Sequence, residues 1–306
     1  MPTVSGVIYD STASPVSGRT VRAYRRDTGA LLGSAVSSDN TEVLGDTNYT
    51  QTSLLLRCNG ADASTTVTDE SATPKTVTAN GNAQLDTAQK KWGSASLLLD
   101  GTGDYLTVAA DAAFGFGVGA WTCEAQVRPA ASTLCVLIDT RQSGTTGATR
   151  FLVGLEATTR TLFFQYGATV IGNTGTAPAT SAWSHIEVSY NGTTLYGFVE
   201  GELVWSAAVS LSLDSSVPLT IGAGYSGSNG YNGHLDDIRI TKGVARHTAA
   251  FTAPTAEFYA NQYVAATPLG SYSIDTAGHT GELNVVALDD VAGSTENDRI
   301  IRTTGV

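Results

Sequence analysis

Three acidic loops contain the side chains best suited to hold a metal ion. The loops span residues 59–62, 100–104 and 234–237, and each ends on an aspartate. Calcium takes hard oxygen ligands from Asp, Asn and backbone carbonyl groups in irregular loops, so it is the ion that these loops suit. Aspartates at such positions also form Asx turns or cap the end of a strand without any ligand. The sequence leaves both interpretations open.

A pair of carboxyl groups, about 5–9 Å apart, is the requirement for hydrolysis of a glycosidic bond. Along one strand this separation needs acidic residues at i and i+2 or i+4. Glu124 has no such neighbour, and the later glutamates flank turns or alternate with apolar residues: Glu187, Glu200 and Glu202. Asp236 and Asp237 are adjacent, so on a regular strand their side chains point to opposite faces and form no pair.

Histidine and cysteine spacing indicates neither a metal site nor a catalytic nucleophile. No metal-ligand spacing and no neighbouring nucleophile is found at the four histidines: His185, His234, His247 and His279. The three cysteines are an odd number without a CxxC motif: Cys58, Cys123 and Cys135. We predict small buried thiols, as in a protein made in a reducing cytosol. Together with the missing carboxylate pair, these patterns predict that the protein is not an enzyme.

One glycine-rich segment, residues 224–232, combines tyrosines with amide and hydroxyl side chains. A glycan site needs an aromatic platform and amide partners at the edge of a sandwich. Tyr225, Asn229 and Tyr231 are therefore candidate ligand-binding residues. The glycine content of the segment fits an ordinary surface loop equally well, and that alternative stays open.

The acidic composition argues against two classes of binding partner, nucleic acids and anionic membranes. With 28 acidic and 17 basic residues, the chain carries a formal net charge of −11. A protein that coats nucleic acid needs a basic surface, and anionic membranes attract basic segments, so we expect neither partner. No apolar run approaches the ~20 residues of a membrane span, which predicts no membrane insertion. The N-terminus lacks the basic and apolar regions of a signal peptide, so none is expected.

The elements that position these loops are predicted to be β-strands. Apolar and polar residues alternate with a period of two, for example in Thr20–Arg25 and in residues 185–190. This alternation is typical of antiparallel strands with one face on a core. Turn signals such as Asn191-Gly192 and Glu200-Gly201 follow at short intervals. We predict an all-β fold.

The strand pattern divides the chain into an outer and an inner part. Residues 1–40 and 266–306 each contain about three predicted strands, and each piece is too short to support its own core. Together the two pieces are long enough for one small β-sandwich. Residues 41–265 have a strand pattern of their own. We therefore predict that a domain of residues 41–265 is inserted into a discontinuous domain of residues 1–40 and 266–306.

The flanking pieces carry motifs of a known family. Pro15-Val16-Ser17-Gly18 precedes a predicted strand, and Gly270-Ser271-Tyr272-Ser273-Ile274 follows after the insertion. In this order they resemble the carboxypeptidase-regulatory-like family of small β-sandwiches, whose pattern is a P-x-x-G turn, a strand and a later G-x-Y-x-I. The resemblance implies a spacer or docking unit, and a similar short domain recurs in structural proteins of tailed bacteriophages.

The central part carries a longer set of motifs. In chain order they are WGSASLLLDGTGDYL at 92–106, WTCEAQV at 121–127, WSHIEV at 183–188 and GHLDDIRITKGVARH at 233–247. The set resembles the concanavalin A-like, laminin-G-type jelly roll in the version common in phage virion proteins. The resemblance implies an antiparallel two-sheet sandwich that binds calcium near its acidic loops, with Asp62, Asp104 and Asp236 as ligands. The Glu-x-Asp-x-(x)-Glu motif of the hydrolase branch is absent.

These resemblances predict a non-enzymatic structural protein of a tailed-bacteriophage virion, made in the host cytoplasm. As a capsid decoration or tail appendage, it would dock to other virion proteins by the small sandwich. The jelly roll would then be displayed for adhesion to surface glycans or to the host surface, and a homo-oligomer is expected. The alternatives are a secreted or cell-surface bacterial carbohydrate-binding protein and, third, a glycoside hydrolase of the same fold.

Overall fold

A computed structural model describes residues 3–7, 20–25, 30–36, 45–130, 132–141, 149–214, 217–260, 271–275, 283–288 and 299–303. Within these ranges the chain forms β-strands joined by turns and three short 3-10 helices, so the predicted all-β fold is confirmed. No helix in this part of the chain is long and apolar enough to cross a membrane. The motif positions 15–18, Gly270 and His279 lie outside the described residues.

The strands are numbered in chain order. They are β1 (Thr3–Val7), β2 (Thr20–Arg25), β3 (Leu31–Val36), β4 (Thr52–Leu56), β5 (Val77–Asn80), β6 (Gln84–Asp86), β7 (Ser96–Asp100), β8 (Tyr105–Asp111), β9 (Trp121–Pro129), β10 (Cys135–Asp139) and β11 (Phe151–Leu155). They continue with β12 (Leu162–Tyr166), β13 (Thr169–Gly172), β14 (Ser184–Tyr190), β15 (Thr194–Val199), β16 (Glu202–Ala208), β17 (Val217–Ile221), β18 (Asn232–Lys242), β19 (Ser271–Asp275), β20 (Leu283–Leu288) and β21 (Arg299–Thr303). The 3-10 helices span Tyr49–Gln51, Ala112–Phe114 and Tyr225–Gly227.

The chain divides into two compact units. Residues 1–44 and 263–306 form the flanking unit, and residues 45–262 form the central unit. In the flanking unit, strands from the two ends of the chain pair with each other. β1 is antiparallel to β19, and a four-stranded sheet has the order β21-β20-β2-β3. Because each end supplies the hydrogen-bonding partner of the other, neither end needs a core of its own.

The central unit consists of two antiparallel sheets. The seven-stranded sheet has the order β13-β12-β11-β10-β17-β8-β5. The eight-stranded sheet contains β16-β15-β14-β9-β18-β7-β6 in that order, with β4 also paired to β18. Sheets of this kind bury the apolar side chains of both inner faces between them.

An aromatic cluster fills the core between the two sheets. Trp121 is fully buried, and its ring stacks on Phe116, Phe151 and Phe164 at centroid distances of 5.3, 5.2 and 5.7 Å. Offset stacking of this kind adds to the stabilisation from burial alone. The predicted buried thiols are also confirmed, since all three cysteines are free and buried: Cys58, Cys123 and Cys135. Burial raises the pKa of each thiol.

Candidate functional site

The outer face of the eight-stranded sheet is polar and buried. The apolar side chains of β9 belong to the core, and the polar ones that alternate with them lie on the outer face: Thr122, Glu124 and Gln126. Each of these three is at most 1% exposed. A polar face of a sheet ordinarily meets water. Here another part of the chain must lie over it.

Residues 244–259, called the covering segment below, lie over this face. The Thr122 hydroxyl donates to Val244 O at 3.0 Å, and Phe251 N donates to Gly201 O at 3.0 Å. Gly201 has a φ of 75°, and a Cβ there would lie 2.0 Å from Phe251 O. The close approach of the covering segment therefore requires glycine at this turn.

Two glutamates meet on this face. Glu124 and Glu187 are directly opposite each other in the antiparallel pair of β9 and β14. One oxygen of each and one ring nitrogen of His185 all lie within 4.8 Å of one another. A search for acids along one strand misses this pair, because each glutamate comes from a different strand. The sequence does not state the register that brings the two strands together. The sequence did contain one relevant signal. Both glutamates occupy polar positions in strands where polar and apolar residues alternate, so both were expected on the polar face.

Glu124 is held ionised by basic neighbours. Its Oε1 accepts a hydrogen bond from Arg239 Nε at 2.9 Å and lies 3.4 Å from Arg246 Nε, and its Oε2 is 3.2 Å from His185 Nε2. Burial by itself would raise the pKa of Glu124. The charge of Arg239, the hydrogen bond from His185 and the charge of Arg246 outweigh burial and hold that pKa well below its usual range.

Two further acidic groups of this face, Glu187 and Asp46, also have basic partners. Glu187 accepts from the Ser189 hydroxyl, and its Oε2 is 2.7 Å from His247 Nδ1. Asp46 accepts from Arg239 Nη1 at 3.1 Å and from Arg246 Nη2 at 2.6 Å. We call the connected set the buried ion network: Asp46, Glu124, His185, Glu187, Arg239, Arg246 and His247.

The buried ion network does not provide the parts of a glycosidase site. Glu124 and Glu187 are at most 1% exposed, so a polysaccharide has no access to them. A glycosidase also needs one carboxyl group that keeps its proton near neutral pH. Glu124 has the opposite property, since its basic neighbours hold it ionised.

A second acidic pair lies on β18, where the strand contains a β-bulge. Three steps along β18, from Asp236 to Arg239, match two steps along β9, and Asp237 has a φ of 44°. The extra residue breaks the alternation on which the expectation of opposite faces rested. Leu235 and Ile238 both belong to the core, and the two aspartates lie between them. We call Asp236 and Asp237 the acid bulge.

The acid bulge is bound by backbone donors. Asp236 Oδ2 accepts from Lys91 N at 2.9 Å and from Trp92 N at 3.3 Å, and its Oδ1 accepts from Asp237 N at 2.9 Å. Asp237 Oδ2 accepts from Phe258 N at 2.9 Å, whereas its Oδ1 is buried without a partner among the described residues. Within the same ranges neither carboxyl group forms an ion pair.

Burial raises the pKa of both aspartates of the bulge. The pKa of Asp236 rises to about 7 and that of Asp237 to about 8. Backbone N–H donors lower both values but do not offset burial. The nearby charge of Glu257 raises both values, and the charge of Asp236 raises that of Asp237 further. The two carboxyl groups are therefore close enough to interact.

The predicted calcium ligands do not converge on one ion. Asp62 is exposed and accepts from Thr87 N at 3.1 Å. Asp104 is buried, and its two oxygens accept from Asn82 N at 2.6 Å and from Asp100 N at 3.1 Å. Asp236 belongs to the acid bulge described above. Among the described residues, these three aspartates form no cluster of metal-ligand atoms, so they do not fit a single shared calcium ion.

The predicted glycan loop presents two of its three candidate residues. Tyr225 is 39% exposed and Asn229 is exposed, whereas Tyr231 is fully buried and its hydroxyl donates to His234 O at 3.2 Å. Two contacts anchor the loop, because Tyr225 N donates to Asp139 Oδ2 at 2.8 Å and Asn229 O accepts from Val136 N at 3.0 Å. The aromatic ring and the amide are therefore offered from a fixed backbone.

The histidines with described positions all have carboxylate partners. His185 and His247 belong to the buried ion network, and His234 Nε2 is 2.8 Å from Asp86 Oδ2. The sequence spacing of these histidines gave no sign of these contacts. The strands bring together residues that are 60 or more positions apart in the chain.

Comparisons with known proteins identify the fold of the central unit. Residues 100–248 match the family model of the concanavalin A-like lectin/glucanases superfamily. No curated protein matches the sequence. The binding domain of Paraclostridial mosquitocidal protein 1 is similar in structure with a TM-score of 0.50 and 14% identity, over 64% of this chain and 50% of that one.

Two further solved structures are similar at slightly lower scores. Domain 4 of AbnA, a GH43 extracellular arabinanase from Geobacillus stearothermophilus, in complex with arabinotriose, has a TM-score of 0.49 and 14% identity over 63% of this chain and 93% of that one. The binding domain of botulinum neurotoxin DC in complex with SialylT has a TM-score of 0.46 and 16% identity over 64% and 49%. This chain thus spans about half the length of the toxin binding domains. The central unit has the concanavalin A-like, laminin G-type jelly-roll fold.

Proposed function

We propose that the central unit is a carbohydrate-binding module whose ligand contacts the loop of residues 224–232. The observation that carries this proposal is the exposed ring of Tyr225 on a loop anchored by Asp139 and Val136. An exposed aromatic residue on an anchored backbone and a nearby amide, here Asn229, are groups that can recognise a sugar ring and its hydroxyls. The match to a superfamily of lectins and glucanases supports a carbohydrate as the ligand class.

The proposed module binds its ligand without hydrolysing it. Both glutamates of the buried ion network are inaccessible, Glu124 is held ionised by its basic neighbours, and the acid bulge is buried as well. Neither pair offers an exposed acid and base on the two sides of a glycosidic bond.

We further propose that this module is carried on the particle of a tailed bacteriophage. The flanking unit would hold the protein on other virion proteins, in line with its resemblance to small docking sandwiches. Pairing of β1 with β19 and of β2 with β20 supports one unit built from both chain ends. The module would then be displayed for adhesion to host or environmental glycans, as a capsid decoration or a tail appendage.

A glycan-binding assay with two matched tyrosine variants tests the carbohydrate proposal. Tyr225 and Tyr259 are almost equally exposed, at 39% and 38%. On an array of bacterial surface polysaccharides, we expect Tyr225→Ala to lose at least tenfold in affinity and Tyr259→Ala to bind like the wild type. Equal losses in both variants, or no binding by the wild type, would contradict the proposal.

Immunogold electron microscopy of intact virions tests the location. Antibodies against the central unit should label the head if the protein decorates the capsid, and the tail or its tip if it is an appendage. Glycan binding without label on any particle would favour a bacterial carbohydrate-binding protein. Light scattering of the purified protein measures the expected homo-oligomer.

Calcium binding by one of the acidic loops stays a prediction. The ion would stabilise the fold and would not contact the glycan. The measurement is the Tm of the full chain in EDTA and after addition of calcium chloride. A Tm that rises with calcium concentration is expected if an ion binds the folded state only. An unchanged Tm would remove calcium from the proposal without affecting the glycan site.

A further inference from the structure

We propose that Glu124, His185, Glu187 and His247 form a binding site for one first-row divalent transition-metal ion such as zinc. The ligand atoms would be Glu124 Oε2, Glu187 Oε2, His185 Nε2 and His247 Nδ1. Imidazole nitrogens and carboxylate oxygens are the donors that zinc takes in such sites, usually four of them. This proposal is independent of the glycan site.

Each glutamate is arranged with one oxygen anchored and one oxygen facing a ring nitrogen. Glu124 Oε1 is held by Arg239, which leaves Oε2 facing His185 Nε2 at 3.2 Å. Glu187 Oε1 is held by the Ser189 hydroxyl, which leaves Oε2 facing His247 Nδ1 at 2.7 Å. Neighbours that anchor the free atom of a ligand are the usual second layer of a metal site.

Three of the four proposed ligand atoms lie near one another, those of Glu124, His185 and Glu187. With metal–ligand bonds of 2.0–2.1 Å, neighbouring ligand atoms lie about 3.3 Å apart. The Glu124–His185 distance of 3.2 Å is close to this value, and the nearby Glu187 oxygen lies within 4.8 Å of both. His247 Nδ1 lies 2.7 Å from Glu187 Oε2 but is not part of the set whose atoms all lie within 4.8 Å of one another. Its ring stacks on Phe251 at a centroid distance of 3.5 Å, so the ring must turn to complete the site.

An unpartnered side chain beside the cluster supports the site. Gln126 is fully buried, and neither atom of its amide has a hydrogen-bond partner among the described residues. It lies directly opposite His185 on the same face, and His185 Nδ1 is likewise buried without a partner. A metal at Nε2 requires the ring proton on Nδ1, and the amide of Gln126, on the neighbouring strand, is the group we propose to accept it after a side-chain rotation.

The charge of the network also leaves a place for a cation. Three carboxylates, from Asp46, Glu124 and Glu187, face two guanidinium groups, from Arg239 and Arg246. The formal charge of this set is −1, and a divalent ion bound by two neutral imidazoles changes it to +1, so the set stays within one unit of neutrality in both states. His247 is 33% exposed on its side chain, which provides the entry path.

The consequence of binding would be a cross-link across the polar face. His247 belongs to the covering segment, whereas the other three ligands belong to β9 and β14. One ion would therefore tie the covering segment to two central strands of the sheet, and its binding energy would add to the stability of the fold.

The test uses the full chain, stripped with chelator, with zinc and cobalt(II) as probes. We expect one zinc per chain after dialysis, a Tm that rises with zinc concentration, and the visible absorption of tetrahedral cobalt(II). His247→Ala should lose these three signals. The matched control is His234→Ala, because His234 faces a single carboxylate, Asp86, and this variant should keep all three signals.

A measurement on the wild type alone keeps the proposal testable if His247→Ala does not fold. X-ray absorption of the zinc-loaded protein should show two imidazole ligands, oxygen donors and no sulfur. Absence of zinc uptake, retention of all signals in folded His247→Ala, or sulfur ligands from the buried cysteines would overturn the proposal.

Discussion

The buried ion network and the acid bulge lie on neighbouring parts of one sheet face, but the pKa values of their acids shift in opposite directions. Burial raises the pKa of a carboxyl group in both regions. In the network, Arg239 and Arg246 outweigh that effect and keep Glu124 ionised. In the bulge, backbone N–H donors do not outweigh it, and Asp236 and Asp237 reach pKa values of about 7 and 8.

This difference shows what a buried carboxyl group needs. In the bulge, hydrogen bonds from backbone N–H groups do not overcome the effect of burial, whereas in the network the guanidinium charges do. Glu124 and Asp46 therefore stabilise the fold most when they are charged. The bulge stabilises the fold most when its acids are protonated.

The largest effect is expected from breaking the network at its central cation. Arg239→Ala removes one of the two guanidinium partners of Glu124 and of Asp46, and also the cation 3.7 Å above the ring of Phe258. Because two buried carboxylates each lose a partner, we expect the free energy of unfolding to fall by about 3–5 kcal/mol. Urea unfolding measures this loss. Arg57→Ala is the control, because the side chains of its partners Glu70 and Glu257 are 25% and 24% exposed and water screens these pairs. An equal loss of stability in this variant would contradict the comparison.

Removing a charge from the acid bulge should raise the free energy of unfolding, whereas removing one from the network lowers it. Asp237 has a raised pKa, so its contribution is complete below pH ~4 and is lost as the pH rises through about 8. Asp237→Asn removes this loss while its amide oxygen can still accept from Phe258 N. We expect a gain on the order of 2–4 kcal/mol at pH ~8 and little change at pH ~4. A variant that follows the wild type at every pH would show that Asp237 titrates normally.

A smaller change in the free energy of unfolding is expected at Asp46, and its dependence on pH is the reverse of that at Asp237. Burial raises the pKa of Asp46, but the hydrogen bond and charge of Arg246 and the charge of Arg239 lower it below its usual range. Its stabilisation is therefore present above pH ~4 and is lost as the pH falls through the folded-state pKa. Asp46→Asn should cost about 1–3 kcal/mol near neutral pH, and the cost should vanish in acid. Thermal unfolding across this pH range measures it, and a pH-independent cost would point to packing alone.

The smallest change in stability is expected at Gln126, which lies between the buried ion network and the acid bulge. Gln126 lies opposite Asp236 on one side and His185 on the other, with both amide atoms unpartnered in the described part of the chain. Replacing a buried unpartnered amide with an apolar group should stabilise the metal-free protein by roughly 1 kcal/mol. The urea midpoint of Gln126→Leu checks this, and a loss of stability would show that the amide has a partner in solution.

Much of the fold could be predicted from the sequence because it depends on local alternation. The period-two pattern of Thr20–Arg25 and of residues 185–190 is enough to place β2 and β14. Pieces too short for their own core required partners elsewhere in the chain, and the pairing of β1 with β19 supplies one. The buried state of the cysteines followed from their number and spacing. For the glycan loop, exposure of Tyr225 and burial of Tyr231 could not be told apart, because both residues follow glycine-rich turns.

The sequence by itself determined which side of each strand is polar, since side-chain direction alternates with position whatever the strand packs against. Only the tertiary structure decided which polar residues meet. The register of β9 and β14 sets Glu124 opposite Glu187, and the covering segment adds Arg246 and His247 from more than a hundred and about sixty positions away. The bulge on β18 likewise places two acids side by side. Register, bulges and covering segments depend on contacts between distant residues, which no local pattern contains.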